Sequence, residues 1–236
     1  ESWGYNPSFH MALDKYYGTP QSFKRFVDAC HKRGIAVILD VVYNHAFSQS
    51  PLCQLYWDAT NFRPSGLSPY ANITAKHDFN VGYDLNHESS AIQNYVKQVM
   101  EYWLQAYKVD GFRFDLSKGF TQKNTLGDVG AWGQYDGARV NTIKRIYSEV
   151  KAVNPNAYVI LEHFAENREE KELADFGCMF WGNINHEAAE AAMGYSSNFS
   201  GAHYSARGWN SPKLIAYAES HDEERIMYKN LQYGNV

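Results

Sequence analysis

Acidic side chains close four short apolar runs of this 236-residue sequence. The run IAVILD ends at Asp40, GFRFD ends at Asp115 and YVILE ends at Glu162. The run IAYAES is followed directly by His221 and Asp222. A single acid at the end of a strand usually caps a helix or accepts a hydrogen bond from a loop. Four acids in the same position are better explained by chemistry, because clustered carboxylates repel one another and cost stability.

An arginine accompanies one of these acids. Strand side chains alternate between faces, so Phe112 and Phe114 share one face of GFRFD while Arg113 and Asp115 share the other. Paired carboxylates beside an arginine suit retaining glycoside hydrolysis, in which one carboxylate attacks the anomeric carbon and a protonated one delivers a proton to the leaving oxygen. The two carboxyl groups must then stand about 5–5.5 Å apart. The arginine is expected to keep the nucleophile ionised by lowering its pKa.

Strands alternating with helices are the elements that would bring these acids together. Apolar residues at helical spacing separate five predicted strands, which cover residues 35–42, 109–115, 157–162, 178–181 and 214–220. This alternation predicts a parallel α/β sheet or barrel, whose strands all end at one rim. Residues 46–88 carry no such period and contain many Ser, Pro, Asn and Gly residues. We therefore predict an irregular excursion there.

Composition, charge and motif spacing argue against several other classes of function. The net charge is −4 and no basic run is present, which argues against a nucleic-acid partner. No apolar stretch approaches the roughly 20 residues of a transmembrane helix, so no membrane partner is expected. The three cysteines are far apart and indicate neither a disulfide framework nor a metal site. The glycines of GDVGAWG (127–133) follow no strand, so a dinucleotide site is not predicted.

Six segments, taken in order, resemble a known family. DVVYNH (40–45), GFRFDLSK (111–118), the strand-end Glu162 and SHDE (220–223) look like the four signature segments of the alpha-amylase family of glycoside hydrolases. YDLN (83–86) resembles the accessory segment that follows the family's inserted domain, and WGYNP (3–7) resembles the segment after its second barrel strand. Each motif is modest evidence alone, but together they span nearly the whole chain.

The resemblance implies a (β/α)8 TIM-barrel type of α/β fold, present here as a partial barrel of about strands three to seven. Residues 1–45 and 87–236 would form the barrel, and residues 46–86 a small subdomain inserted after the third strand. Because an eight-stranded barrel cannot close with five strands, the isolated chain is not expected to be fully active. Its open edges would invite self-association.

The resemblance also implies roles for individual residues. Asp115 would be the nucleophile, Glu162 the general acid/base, and Asp222 a third carboxylate that holds sugar hydroxyls in the transition state. Residues expected to bind or orient the sugar are Tyr5, which would stack beneath it, His45, Arg113, Lys118 and His221, with Asp40 and Asn44 supporting the rim.

Three questions stay open at this stage. The chemistry needs no cofactor, but a structural calcium ion is possible, with Asn44 and Asn86 as two of its ligands; Gly119 stands where many calcium-dependent members have a histidine. The α-1,4-glucan or maltooligosaccharide partner could be hydrolysed, transferred as by a branching enzyme, or merely bound by a non-catalytic relative. The compartment is not readable, with a periplasmic or extracellular location preferred to a cytoplasmic one.

Overall fold

The computed structural model describes residues 3–47 and 49–235, which form two compact units, Glu1–Glu166 and Asn167–Val236. The first unit contains, in chain order, α1 (Pro20–His31), β1 (Ile38–Val42), β2 (His45–Ala46), α2 (Pro51–Gln54), β3 (Trp57–Asp58), β4 (Arg63–Pro64), β5 (Tyr83–Asp84), α3 (Ser90–Ala106), β6 (Gly111–Asp115), α4 (Val129–Gly133), α5 (Gly137–Val153) and β7 (Tyr158–Leu161). The second contains α6 (Asn167–Phe176), β8 (Met179–Asn183), α7 (Asn185–Ala192), β9 (Leu214–Tyr217) and α8 (Ile226–Tyr233).

A parallel sheet organises the first unit. β6 pairs with β1 on one side and with β7 on the other, and the register places Asp40 opposite Arg113 and Val42 opposite Asp115. Every residue of β6 is buried, as a central strand covered on both faces requires. Phe114 packs against Tyr43 and the ring of Phe120. This packing agrees with the prediction that the phenylalanines of GFRFD form its apolar face.

Helix α3 supplies much of the core beside this sheet. Its apolar residues recur on one face, where Ile92, Val96, Val99 and Trp103 are at most 5% exposed. Ser89 caps the helix by accepting a hydrogen bond from the backbone of Ala91. The helix lies against α5, which begins after the side chain of Asp136 caps its first turn. Helices α3 and α5 thus form a packed helical layer of the first unit.

Four of the five strands are shorter than the sequence predicted, whereas β8 (Met179–Asn183) extends beyond the predicted 178–181. Val37 precedes β1, and its N–H donates to the side chain of Asp110 while its carbonyl accepts from the Asp110 N–H. This local pairing replaces the ladder, so β1 begins at Ile38 and β6 at Gly111. Gly111 has a φ of +153°, and a Cβ at this position would lie 2.2 Å from the Tyr158 carbonyl oxygen. Only glycine permits that close approach.

The segment between β1 and α3 is irregular, as predicted. It has two short antiparallel pairings, β2 with β5 and β3 with β4, and it belongs to the first compact unit. Leu85 and Ala71 are buried within it. The 46–86 boundary of a separate subdomain stays a prediction.

The second unit is built around the parallel pair of β8 and β9, in which Phe180 lies opposite Leu214. Phe180 is fully buried and meets the ring of Trp209 edge to face at 5.2 Å. Helices α7 and α8 pack on each other. In both units together, no helix within residues 3–47 and 49–235 is long and apolar enough to cross a bilayer.

Candidate active site

One buried guanidinium lies among three carboxylates in the first unit. Arg113 Nη1 donates to Asp40 Oδ1 at 2.8 Å and to Asp115 Oδ1 at 2.9 Å, and its Nη2 lies 3.0 Å from Glu162 Oε1. The arginine side chain is 3% exposed. We call these four residues the Arg113 cluster.

The parallel sheet explains why the cluster forms. Asp40 lies opposite Arg113 across the β1–β6 pairing, and Asp115 is two residues further along the same face of β6. The N–H of Glu162 donates to the carbonyl of Phe114, which extends the β6–β7 pairing by one residue. Residues that are far apart in sequence therefore meet where neighbouring strands end, as predicted for the first three acids.

The two acids expected to act chemically lie close together. One oxygen of Asp115 and one of Glu162 are within 4.8 Å of each other, and the two residues are only 6% and 4% exposed. This proximity matches the separation of about 5–5.5 Å between carboxyl groups in retaining enzymes. Inverting enzymes separate them by roughly 6.5–9.5 Å to admit a water molecule.

Glu162 and Arg113 differ in how readily they lose a proton. Burial raises the pKa of Glu162 to about 7, the Arg113 guanidinium opposes that rise and Asp115 adds to it. Burial alone would lower the pKa of Arg113, but the Glu162, Asp40 and Asp115 carboxylates together raise it. Near neutral pH a permanent cation thus stands beside a carboxyl group that can still carry a proton, as a general acid must.

Tyr5 and His45 line the same region through contacts within the protein. The Tyr5 hydroxyl donates to Asp40 Oδ2 at 2.6 Å, and the Arg113 guanidinium carbon lies 5.9 Å from the centre of the Tyr5 ring. His45 contacts the Tyr5 carbonyl through Nε2 at 2.9 Å and the Asn44 amide through Nδ1 at 3.2 Å. A bond from His45 to a sugar stays a prediction, and it would require one of these contacts to be exchanged.

Lys118 lies beside an aromatic residue that sequence reasoning did not assign to the site. Its Nζ donates to the carbonyl of Phe164 at 3.0 Å and lies 4.0 Å from the centre of the Trp132 ring. Trp132 stacks in turn on Phe79, which is half exposed. The tryptophan of GDVGAWG was the available signal. Contact of Lys118 with a sugar stays a prediction.

His221 and Asp222 belong to the second unit, in the loop after β9. The His221 ring nitrogen Nε2 lies 3.5 Å from Asp222 Oδ1, and the side chain of Asp222 is 64% exposed. The N–H of Asp222 donates to Ser220 Oγ, and the Ser220 hydroxyl donates to Glu223. These contacts order the loop. The meeting of Asp222 and His221 with the Arg113 cluster stays a prediction.

The side chains proposed for calcium are bonded to protein groups. Asn86 Oδ1 accepts from the backbone N–H groups of Glu88 and Ser89 at the start of α3. Asn44 Oδ1 lies 3.1 Å from His77 Nε2, and a Cβ added to Gly119 would lie 1.7 Å from that oxygen. A calcium ion needs six to eight oxygen ligands, so these residues do not fit one as they stand.

His77 takes the space beside Asn44 instead. The imidazole is fully buried, lies 3.9 Å from Asp84 Oδ1 and stacks on Trp132 at 4.6 Å with an interplanar angle of 8°. Burial lowers the pKa of His77 to about 4 and raises that of Asp84 to about 7. We call His77, Asn44, Asp84 and Trp132 the His77 cluster. Sequence reasoning missed it because His77 lies in a segment without periodicity.

Comparison with known proteins places this geometry in context. A family model described as the catalytic domain of alpha amylase matches residues 1–61 and 74–229. A 1,4-alpha-glucan branching enzyme of Rhodopseudomonas palustris is 29% identical over 188 residues, which cover 77% of this chain and 26% of that enzyme. The chain therefore spans about a quarter of the length of this relative.

Solved structures agree in fold. An Anoxybacillus alpha-amylase superposes with a TM-score of 0.72 at 20% identity, covering 97% of this chain and 49% of that one. An alpha-amylase from Geobacillus thermoleovorans, solved in complex with acarbose, gives a TM-score of 0.68 at 19% identity, covering 98% of this chain and 51% of that one. At these identities the similarity establishes the barrel fold of the family.

Proposed function

The chain belongs to the alpha-amylase family of catalytic domains, a TIM-barrel type of fold of which it holds a part, and from this premise we propose that it cleaves α-1,4-glucosidic bonds by a retaining, double-displacement mechanism. The observation that carries the proposal is the close approach of Asp115 and Glu162 on either side of the Arg113 guanidinium. The sequence alone predicted both the residues and their convergence.

In the first step, an Asp115 oxygen attacks the anomeric carbon while Glu162 gives its proton to the departing glycosidic oxygen. The carbon–oxygen bond of the substrate breaks as the bond to Asp115 forms, which leaves a glycosyl ester and an ionised Glu162. In the second step, Glu162 removes a proton from the incoming hydroxyl as that hydroxyl displaces Asp115 with a second inversion. The pKa of about 7 suits Glu162 to both directions of proton transfer.

Arg113 supports both steps without moving a proton. Its guanidinium contacts the nucleophile and the acid/base at once, so it fixes their orientation and stabilises the charge that passes from one to the other. Nη1 of Arg113 also donates to Asp40 Oδ1, and the Tyr5 hydroxyl donates to the other carboxylate oxygen of Asp40. Asp222 and His221 are proposed to grip sugar hydroxyls, which would make the distortion of the ring favourable in the transition state.

Transglycosylation is a second candidate because it uses the same intermediate. The branching enzyme of Rhodopseudomonas palustris is among the similar proteins, and this similarity favours an acceptor sugar as the alternative to water in the second step. A purely glucan-binding role is weaker, because Asp115, Glu162 and Asp222 are all present.

Product analysis distinguishes these outcomes. The full-length protein would be incubated with maltoheptaose and the products separated by chromatography before and after treatment with a debranching enzyme. Shorter, linear products alone support hydrolysis, whereas chains longer than the substrate or new branch points support transfer. Binding without any change in the maltoheptaose would contradict the catalytic proposal.

A further inference from the structure

The residue that follows the proposed nucleophile has an unusual backbone conformation. Leu116 has φ +46° and ψ +41°, which is the left-handed helical region. Leucine rarely enters this region, because its Cβ approaches the following carbonyl oxygen. Strained residues of this kind persist when surrounding contacts hold them, and they are common at functional sites.

The left-handed residue directs backbone and side-chain donors toward the other catalytic acid. Leu116 N–H donates to Glu162 Oε2 at 2.9 Å. Ser117 follows, and both its N–H and its hydroxyl donate to the Glu162 carbonyl, at 2.9 Å and 2.8 Å. The Ser117 hydroxyl also lies 2.9 Å from His163 Nδ1. We call residues 116–117 the clamp.

The clamp adds a backbone donor to the Glu162 carboxyl beside that of Arg113. Arg113 contacts Oε1, and Leu116 N–H contacts Oε2, so each oxygen has a donor from β6 or from the residue just after it. Ser117 is fully buried, and its two bonds fix the Glu162 backbone at the same time. The side chain and main chain of Glu162 are thus both tied to the segment that carries Asp115.

We propose that the Leu116–Ser117 clamp is a positioning device that sets the Glu162 carboxyl against Asp115 and stabilises it as its proton leaves. This inference rests on the proposed retaining mechanism. The Leu116 N–H interacts more strongly with a carboxylate than with a carboxylic acid, so its contribution grows as Glu162 protonates the leaving group. Leu116 acts through Glu162 and is a positioning residue, not a catalytic one.

Two substitutions at Leu116 separate its N–H from its side chain. Leu116→Pro removes the N–H and excludes a positive φ, whereas Leu116→Asn keeps the N–H and tolerates the left-handed region. Lys108→Pro is the matched control, because Lys108 also has a positive φ, of +58°, but lies in the turn between α3 and β6. Ser117→Ala is a milder variant that retains both backbone donors and removes only the hydroxyl.

The measurement compares substrates that differ in their need for an acid. We expect Leu116→Pro to lower kcat/KM for maltoheptaose, whose sugar leaving group must be protonated, by about tenfold or more, and that for α-maltosyl fluoride, whose leaving group needs little protonation, by much less. Leu116→Asn should restore the ratio between the two substrates. Lys108→Pro should leave the ratio unchanged, and Ser117→Ala should shift it in the same direction as Leu116→Pro but less.

A pH titration provides a readout that does not depend on turnover. Arg113 and Asp115 are the charged groups that face the Glu162 carboxyl from β6, and both are intact in every variant. Loss of the Leu116 donor should therefore move the titration of a ¹³C-labelled Glu162 carboxyl to higher pH in Leu116→Pro but not in Leu116→Asn. If Leu116→Pro does not fold, the Ser117→Ala ratio of substrates is the test.

Two results would overturn the clamp while leaving the retaining mechanism intact. The first is an equal loss on both substrates, and the second is a Glu162 titration that is the same in all folded variants. Absence of any glucan turnover in the unsubstituted protein would instead overturn the proposed function, and the Glu162 titration would still decide whether the clamp acts on the carboxyl.

Discussion

The His77 cluster is a buried polar group of the first unit, as is the Arg113 cluster apart from the exposed Asp40, but the two differ in charge. In the His77 cluster, burial keeps the imidazole neutral at physiological pH, and its nearest hydrogen-bonding partner is the uncharged amide of Asn44. In the Arg113 cluster, a single cation faces three carboxyl groups, so the acids outnumber the cation.

The difference separates a structural cluster from a chemical one. Burial favours a neutral, stacked group, and the His77 imidazole is neutral near pH 7, stacks on Trp132 and lies within hydrogen-bond distance of Asn44. Packing Asp115 and Glu162 against one buried guanidinium raises the energy of the folded state, because the two acids repel each other in a poorly solvated place. That cost is understandable if the acids are held close for a reaction. Removing an acid from the Arg113 cluster should therefore lower activity, whereas removing one from the His77 cluster should lower stability.

The largest expected effect comes from the nucleophile. Asp115→Asn should lower kcat on maltooligosaccharides by roughly 10⁴-fold or more, because the amide cannot form the glycosyl ester. Its dissociation constant for the glucan should change by less than about threefold, since the side-chain volume is preserved. Steady-state kinetics and isothermal titration calorimetry measure the two quantities.

Asp84→Asn is the matched control for this variant, because Asp84 is an equally buried carboxylate of the same unit. It should cost thermal stability and leave kcat within about threefold of the unsubstituted value. Asp115→Ala guards against a trace of activity that arises by deamidation of the new asparagine. Turnover near normal in both Asp115 variants would remove the nucleophile assignment.

An intermediate effect is expected from Glu162. Glu162→Gln should lower kcat/KM for poor leaving groups by about 10²–10⁴-fold, and the fall in activity that the unsubstituted enzyme shows as pH rises through about 7 should disappear. A pH–rate profile with maltoheptaose checks both. A profile whose basic limb survives in Glu162→Gln would assign that limb to another group.

The same residue makes a prediction about stability. The folded pKa of Glu162 lies above its ordinary value of 4.5, so the folded state binds more protons than the unfolded state between about pH 4.5 and 7. The stabilisation from this group is complete below pH 4.5 and is lost as pH rises through 7. The free energy of unfolding of Glu162→Gln, relative to the unsubstituted protein, should thus rise by at most about 3 kcal/mol between urea titrations at pH 4.5 and 8.

The Arg113 cluster was predictable from sequence, whereas the His77 cluster and the clamp were not. Asp40, Asp115 and Glu162 each stand at the end of a predicted parallel strand, and parallel strands share a rim, so the sequence predicts that these acids lie close together. The alternation of β6 places Arg113 on the same face as Asp115. His77 lies in a segment without periodicity, and its partners are decided by long-range packing. Nothing in the identity of residue 116 signals a left-handed backbone, because leucine rarely adopts that conformation and the partner of its N–H, Glu162, is far away in sequence.

The smallest expected effect concerns calcium, and it tests the His77 cluster directly. An ion bound at 100 times its dissociation constant would add about 2.7 kcal/mol to the free energy of unfolding. This corresponds to a rise of several degrees in Tm for a chain of this size. Because His77 already satisfies Asn44, we expect the Tm in 5 mM CaCl₂ and in EDTA to agree within about 1 °C.

His77→Ala should lower Tm in both buffers, since it removes the hydrogen bond to Asn44 and the stacking on Trp132. A clear rise in Tm with calcium in the unsubstituted protein would instead show that an ion competes successfully with the imidazole, and the conclusion that Asn44 and its neighbours do not fit calcium would be wrong.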